Sequence, residues 1–443
     1  MVCKFCNAEI ADHHRFCPEC GKRQIEDAIE ENASPELKKK TKGEAWKLAL
    51  VIVGFVAAAG ILAVILLNQF GISLFKEADI YSKDTYVAEE GKIVEKADVV
   101  VATMADVELK NAVLQIFCVE EFEAFLGQYY SYISYIGLDL AKPLSEQACY
   151  FDESMNWEQF MLQAGLESWQ GYVQLNKLAE AEGFALDAEL QQTLASFPQS
   201  IEEDAKENGF DSADALLKDR YGENCSMDVY MEYLNLVFKG NAFYSSQFEV
   251  TDEQIEAAFT EHEAEFAEKG ITKTSALVSS VRHILIEPEG GTEGENGLKT
   301  YTEQEWAAGL AEAEKVLNEW KSGEATEETF KEFVNKYTDD VESKPTGGLY
   351  DGVMNDGTYM KEFQDWAIDM SRTTGETGIV KTDYGYHIMY FVEGEPEWIY
   401  YAEGKVQDKI YQEVQTKLEA IKNENPVKIK YGKIAIDDIY EQK

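Results

Sequence analysis

Histidine and positive charge are what this chain has least of. Five histidines stand among 443 residues, and 40 Lys and Arg face 83 Asp and Glu, a formal net charge of −43 at pH 7. That deficit excludes a general nucleic-acid binder, because neutralising a phosphate backbone takes Lys and Arg. It is also uneven: residues 1–47 hold nine residues of each sign, so the whole acidic excess lies beyond them. Such a surface stays soluble and resists self-association. Enzymatic signatures are missing as well. There is no Gly-x-Gly-x-x-Gly after a strand pattern, no P-loop, no Gly-x-Ser-x-Gly elbow and no His-Glu-x-x-His helix, which leaves the chemistries those motifs serve without support.

Charge of either sign is absent from Leu48 to Leu67, twenty residues that run Leu-Ala-Leu-Val-Ile-Val-Gly-Phe and onward. This is about the ~20 residues needed to cross a ~30 Å hydrocarbon layer. Lys38, Lys39, Lys40, Lys42 and Lys47 precede it, and the first basic residue after it is Lys76. The positive-inside rule then expects a single-span anchor with a cytoplasmic N-terminus and residues 68–443 outside. Asn68-Gln69-Phe70 offers no small-residue cleavage site, so an uncleaved anchor is expected rather than a signal peptide.

Four of the seven cysteines precede the anchor as Cys3-x-x-Cys6 and Cys17-x-x-Cys20, ten residues apart. Two such knuckles supply the four thiolates of a tetrahedral Zn²⁺ shell, and a reducing compartment favours metal over disulfide. The segment resembles the short zinc ribbons of bacterial membrane proteins. A structural Zn is expected there, with a cytoplasmic protein as candidate partner of the ribbon. Cys118, Cys149 and Cys225 lie beyond the anchor. An odd number leaves at least one thiol unpaired, and buried apolar cysteine is the default reading.

Beyond the tether, Ala97–Thr103 reads as a strand, and helical spacing follows in Phe160, Met161 and Ala164 and in Trp169, Tyr172 and Val173. Thr251-x-x-Gln254 reads as a capping box. Tyr129, Tyr130, Tyr132 and Tyr135 are dense; packing in a helical core is expected of them, with a surface that holds unfolded segments as the alternative. Val406, Ile410, Val414, Leu418 and Ile421 form an i, i+4 stripe on a later amphipathic helix, expected to pack back on the earlier ones.

Two of the five histidines stand in strand-like runs. Period-2 alternation puts Val281, His283 and Leu285 on one face of the first strand, and His387, Met389 and Phe391 on one face of the second. If those faces meet, two imidazoles share a largely apolar site. Between them come, in order, Thr302-x-x-Glu305, Phe330-x-x-Phe333-Val334, Tyr337-Thr338-Asp339-Asp340, Gly347-Gly348-Leu349-Tyr350, Phe363 and Gly375-Glu376-Thr377-Gly378-Ile379-Val380. This series resembles a parvulin-type peptidyl-prolyl cis/trans isomerase domain. With helices before it and one after it, the chain is similar to the extracytoplasmic foldases of the PrsA and SurA type.

The resemblance implies an α+β fold: a single-span membrane anchor, a helical chaperone domain with an inserted parvulin domain (an antiparallel sheet with surrounding helices), and a small zinc ribbon. The expected boundaries are 1–24 for the ribbon, 25–47 for a charged linker, 48–67 for the anchor and 68–97 for a tether. They continue with 98–275 for the helical domain, 276–395 for the isomerase domain, 396–424 for the returning helix and 425–443 for a tail. It implies His283 and His387 as paired imidazoles beneath the peptide, oriented by Thr382, with Asp340 tuning the pair or binding a proton. Leu349, Met360 and Phe363 are implied as the proline pocket. No cofactor is expected for catalysis. The expected partners are unfolded or newly exported polypeptides with X–Pro bonds and the membrane, but not nucleic acid. The expected location is the bacterial cell membrane, spanned once. Two departures from the family pattern, Gly-Gly-Leu-Tyr in place of Gly-Gly-Asp-Leu-Gly and Tyr384 in place of a small polar residue, bear on catalytic rate. The acidic loop from Glu287 to Gly297 repels phosphate, which argues against phosphorylated substrates.

Overall fold

The computed structural model describes residues 96–294, 298–437 and 439. The ribbon cysteines Cys3, Cys6, Cys17 and Cys20, the linker, the apolar run 48–67 and most of the tether lie outside the described residues. Among the described residues, no helix is long and apolar enough to cross a membrane, and no group of three or more His, Cys, Asp and Glu is placed to hold a metal ion. The chain forms two compact units, one of which, Val250–Lys409, is inserted in the sequence of the other.

The flanking unit begins with a hairpin of β1, Val100–Met104, and β2, Val107–Lys110. Five helices follow: α1, Asn111–Tyr129; α2, Trp157–Ala181; α3, Ala188–Glu207; α4, Ala213–Tyr221; and α5, Met227–Gln247. A reciprocal capping box between Asn156 and Gln159 opens α2, satisfying two backbone donors that the first turn would leave orphaned. The spacing in α2 then buries Trp157, Met161, Trp169 and Val173 in one core with Phe117 and Phe122 of α1. The helices approach closely, since a Cβ on Gly165 would come within 2.8 Å of Cys118 Sγ. From the chain's far end, Leu418 and Ile421 pack on the same core, and Lys428–Ile429 adds a strand beside β1. Cys118, Cys149 and Cys225 are all buried free thiols.

The tyrosine-rich segment departs from expectation. Tyr129 packs on the core, but Tyr130, Tyr132, Tyr135 and Tyr150 are 66%, 59%, 80% and 62% exposed. The physical reason is that α1 ends at Tyr129; past its end the helical period that would have turned these rings inward is lost.

Glu121 is 3% exposed within α1. Burial pushes its carboxyl up to about 8, against a Ser168 hydroxyl that acts the other way. A carboxyl whose folded value exceeds its unfolded value of 4.5 stabilises below that unfolded value, and loses the contribution as pH rises toward 8. The slope is about 1.4 kcal/mol per pH unit for one proton. Glu121→Gln is therefore expected to flatten the fall in α1 amide protection between pH 5.5 and pH 8. An unchanged fall in the variant would assign the dependence to another group.

The inserted unit opens with α6, Asp252–Glu261, under the Thr251–Gln254 capping box, and α7, Glu263–Glu268. It continues through β3, Leu277–Ile286; a small hairpin of β4, Thr292–Glu293, and β5, Lys299–Thr300; α8, Glu303–Lys321; and α9, Glu327–Tyr337. Then come β6, Leu349–Val353; α10, Lys361–Ala367; β7, Thr377–Lys381; β8, Tyr386–Pro396; and the start of α11, Glu397–Glu424. Four strands make one antiparallel sheet in the order β6-β3-β8-β7. Alternation divides its faces. Ile284, Ile286, Tyr386, Ile388 and Tyr390 pack under Trp320 of α8 and Phe330 of α9. Val281, Met389 and Phe391 pack under Phe363 and Ala367 of α10.

Candidate active site

The two histidines are brought together by strand pairing within one sheet rather than by two opposed faces. β3 and β8 are hydrogen-bonded neighbours, and their register sets His387 opposite Leu285 and Met389 opposite His283. His283 and His387 are thus diagonal neighbours on the α10 face, a spacing within reach of aromatic side chains. Their rings lie 5.1 Å apart at 19°, and Nδ1 of one is 2.9 Å from Nδ1 of the other.

Asp340 reaches the pair through the loop after α9. The Thr338 hydroxyl accepts from Leu285 N–H and Asp340 N–H, and Asp339 N–H donates to the Leu285 carbonyl. These bonds tie the loop to the end of β3 and set Asp340 Oδ2 2.9 Å from His283 Nε2. At the other end Thr382 Oγ1 lies 2.8 Å from His387 Nε2, and the Tyr384 N–H donates to the same hydroxyl.

The chain of bonds has one direction. The His283 ring N–H, with Ser343 and Tyr350 hydroxyls adding to it against partial burial, holds the Asp340 carboxyl well below the usual carboxylate range. Asp340 is therefore ionised and accepts only, and His283 Nε2–H donates to it. With Nε2–H committed to Asp340, the Nδ1 lone pair of His283 can accept from His387 Nδ1–H, 2.9 Å away. That leaves His387 Nε2 to accept from the Thr382 hydroxyl, which in turn accepts from Tyr384 N–H. Burial, with His283 adding to it, lowers His387 to about 3, so its imidazole is neutral near pH 7. Every donor meets an acceptor, the condition under which a buried polar network rigidifies its surroundings.

An aromatic wall covers this floor. Phe363 meets both imidazoles edge-on, with centroids at 5.4 Å from His283 and 5.3 Å from His387. Met360, at the N-terminus of α10, packs into the cluster that contains Phe363, and so does Tyr359. Leu349 is not brought to the site. Strand pairing sets it opposite Arg282 and sets Tyr350 opposite Val281, so alternation puts Tyr350 on the histidine face. The Tyr350 ring stands 4.9 Å from His283, and its hydroxyl donates to Asp340 Oδ2 at 3.0 Å. Sequence reasoning missed Tyr350; the signal was its one-residue offset from Leu349 in a strand whose register the chain alone does not give. It also missed Arg282, buried on the opposite face, where it pairs with Glu327 and donates to the carbonyls of Thr346 and Gly347. Those bonds anchor the turn that starts β6.

The one hydroxyl that donates to an imidazole, Thr382 Oγ1, is 4% exposed and faces His387, whose basicity burial lowers, so the arrangement presents no activated nucleophile to a substrate. What it offers is an apolar wall over a rigid imidazole floor beside one carboxylate. Such a site suits a reaction that breaks no covalent bond. Rotation about X–Pro has a barrier of ~18–20 kcal/mol because it disrupts amide resonance, and excluding water while favouring the twisted amide lowers that barrier.

Residues 283–393 match the family model of the rotamase, or PPIC-type PPIase, domain, so this segment carries a peptidyl-prolyl cis/trans isomerase domain. The foldase protein PrsA of Geobacillus sp. (strain WCH70) is 33% identical over 132 residues, 29% of this chain and 46% of the relative. The chain spans about half the length of that curated relative. Among solved structures, PrsA from Bacillus subtilis is 20% identical, covering 59% of this chain and 83% of its own, with a TM-score of 0.22. PrsA from Bacillus anthracis is 15% identical, covering 58% and 96%, with a TM-score of 0.20.

Proposed function

We propose that this protein is a membrane-anchored extracytoplasmic prolyl isomerase and chaperone that helps exported polypeptides fold. The observation that carries the reading is the directional chain Thr382–His387–His283–Asp340 beneath Phe363. In this role Phe363 and Met360 take the proline ring, with Tyr350 in the place expected of Leu349. The two imidazoles form the floor on which the peptide bond turns. The uncharged run 48–67 supplies the anchor, and the spacing of Cys3, Cys6, Cys17 and Cys20 suits one structural Zn on the cytoplasmic side. Unfolded or newly exported chains containing X–Pro bonds are the proposed clients.

A second reading, a holdase whose isomerase domain binds peptide with little turnover, is favoured by the exposed tyrosines. Tyr132 and Tyr135 have centroids 6.5 Å apart, and Tyr150 touches Phe151, which touches Tyr129. Rings of this kind offer large contact area at low entropic cost. Replacing Tyr130, Tyr132, Tyr135 and Tyr150 together by Ser is expected to cut suppression of client aggregation by more than half while leaving tetrapeptide isomerisation unchanged. Suppression that survives the change would remove these rings from the holding surface. Suppression without any isomerase rate in the parent chain would leave the second reading in place of the first.

A further inference from the structure

Tyr350 belongs to both halves of the site. Its ring completes the aromatic wall, with centroids 5.6 Å from Tyr359 and 5.6 Å from Phe363. Its hydroxyl donates at 3.0 Å to Asp340 Oδ2, the oxygen that also faces His283 Nε2 at 2.9 Å. We propose that Tyr350 is a positioning residue for the isomerase reaction, fixing Asp340 and, through it, the tautomer and orientation of His283 and His387. The inference rests on the isomerase reading of the site.

Asp340 sits in a loop, and its backbone is held chiefly by the Thr338 hydroxyl, 3.2 Å from its N–H. Its carboxylate therefore needs fixed donors to stay in one rotamer, and Tyr350 is a well-fixed one. The β6 register sets the ring's position, and Arg282 pins the turn before it. Without that hydroxyl the carboxylate loses its donor on the pocket side, and His283 Nε2–H loses a stationary acceptor. Each later bond depends on the one before it, so the loosening reaches His387 and Thr382. A bound proline would meet the ring, not the hydroxyl, so the two contributions separate by substitution.

Tyr350→Phe keeps the wall and removes the donor: kcat is expected to fall about fivefold to tenfold, with KM within twofold. Tyr350→Leu removes ring and donor, and KM is expected to rise as well. The deciding arm is a double-mutant cycle. In an Asp340→Ala background, Tyr350→Phe is expected to change kcat no further; a full, additive loss there would overturn the proposal, because Tyr350 would then act on substrate directly. A second readout needs no turnover. Nitrogen-15 spectra of the full chain are expected to show His283 protonated at Nε2 and His387 at Nδ1, with faster exchange of the His283 proton in Tyr350→Phe. Unchanged exchange in that variant also overturns the proposal. Faster exchange in Tyr350→Phe, together with a parent chain that shows no isomerase rate, sinks the isomerase reading while the positioning of Asp340 by Tyr350 stands.

Discussion

Gly348→Ala is expected to cost about 3 kcal/mol or more of stability in the isomerase unit and to abolish its activity. Gly348 has φ +72°, and a Cβ there would lie 2.4 Å from the His283 carbonyl oxygen and 2.9 Å from Val334 Cγ2. The left-handed backbone alone costs an L-residue roughly 1–2 kcal/mol. The clash adds to this because the nearer neighbour is backbone and cannot turn away. His283 N–H donates to the Gly348 carbonyl at 3.0 Å, so relief requires β6 to part from β3. That movement would carry Tyr350 off Asp340 and His283. Gly357 is the natural control: it has φ +77°, but a Cβ there meets nothing within 4 Å. Gly357→Ala should show the backbone strain alone, about 1–2 kcal/mol. Chemical denaturation of both variants checks the difference, and equal losses would count against the close approach of Gly348 to His283.

Acid is expected to loosen the floor of the site well before carboxylates titrate. His387 is 7% exposed, and burial sets its folded value at about 3, below its unfolded value of 6.5. Below pH 6.5 the unfolded chain takes up a proton that the folded site refuses. The stabilisation is thus complete above 6.5 and is lost as pH falls toward 3, at about 1.4 kcal/mol per pH unit and about 4–5 kcal/mol in all. Asp340, also depressed, acts with the same sign but only below its own unfolded value of 3.8. Glu121 in the other unit has the opposite sign, so a global melting curve mixes the two. Amide exchange along β8 between pH 7 and pH 4 isolates the effect. His387→Leu is expected to remove the dependence, and an identical slope in that variant would assign it elsewhere.

Much of the isomerase unit was legible in the chain because its cues are local. Thr251–Gln254 and Thr302–Glu305 are capping boxes whose partners lie three residues apart, and both form. Alternation placed His283 with Val281, and His387 with Met389 and Phe391, on single faces. What escaped was what only pairing decides. Whether the two strands oppose each other across a core or lie side by side depends on hydrogen-bond register, and so does the choice between Leu349 and Tyr350; a one-residue shift exchanges the faces. The tyrosines after α1 were misjudged for a related reason. A dense aromatic run suggests a core, but where the helix stops decides which rings turn inward. Asp340 was left between tuning the histidines and binding a proton. Two donors to its carboxylate, His283 and Tyr350, come from distant strands.

The most direct measurement is the cis/trans exchange rate of a proline-containing tetrapeptide, followed by exchange NMR with substoichiometric amounts of the full chain, alongside His387→Ala. A pocket with this paired-imidazole floor predicts exchange well above the uncatalysed rate, which is set by isomerisation over tens to hundreds of seconds. It also predicts at least a tenfold loss, equivalent to ~1.4 kcal/mol, in a variant that keeps its fold. A folded parent chain at the uncatalysed rate, or a His387→Ala variant as fast as its parent, would contradict it.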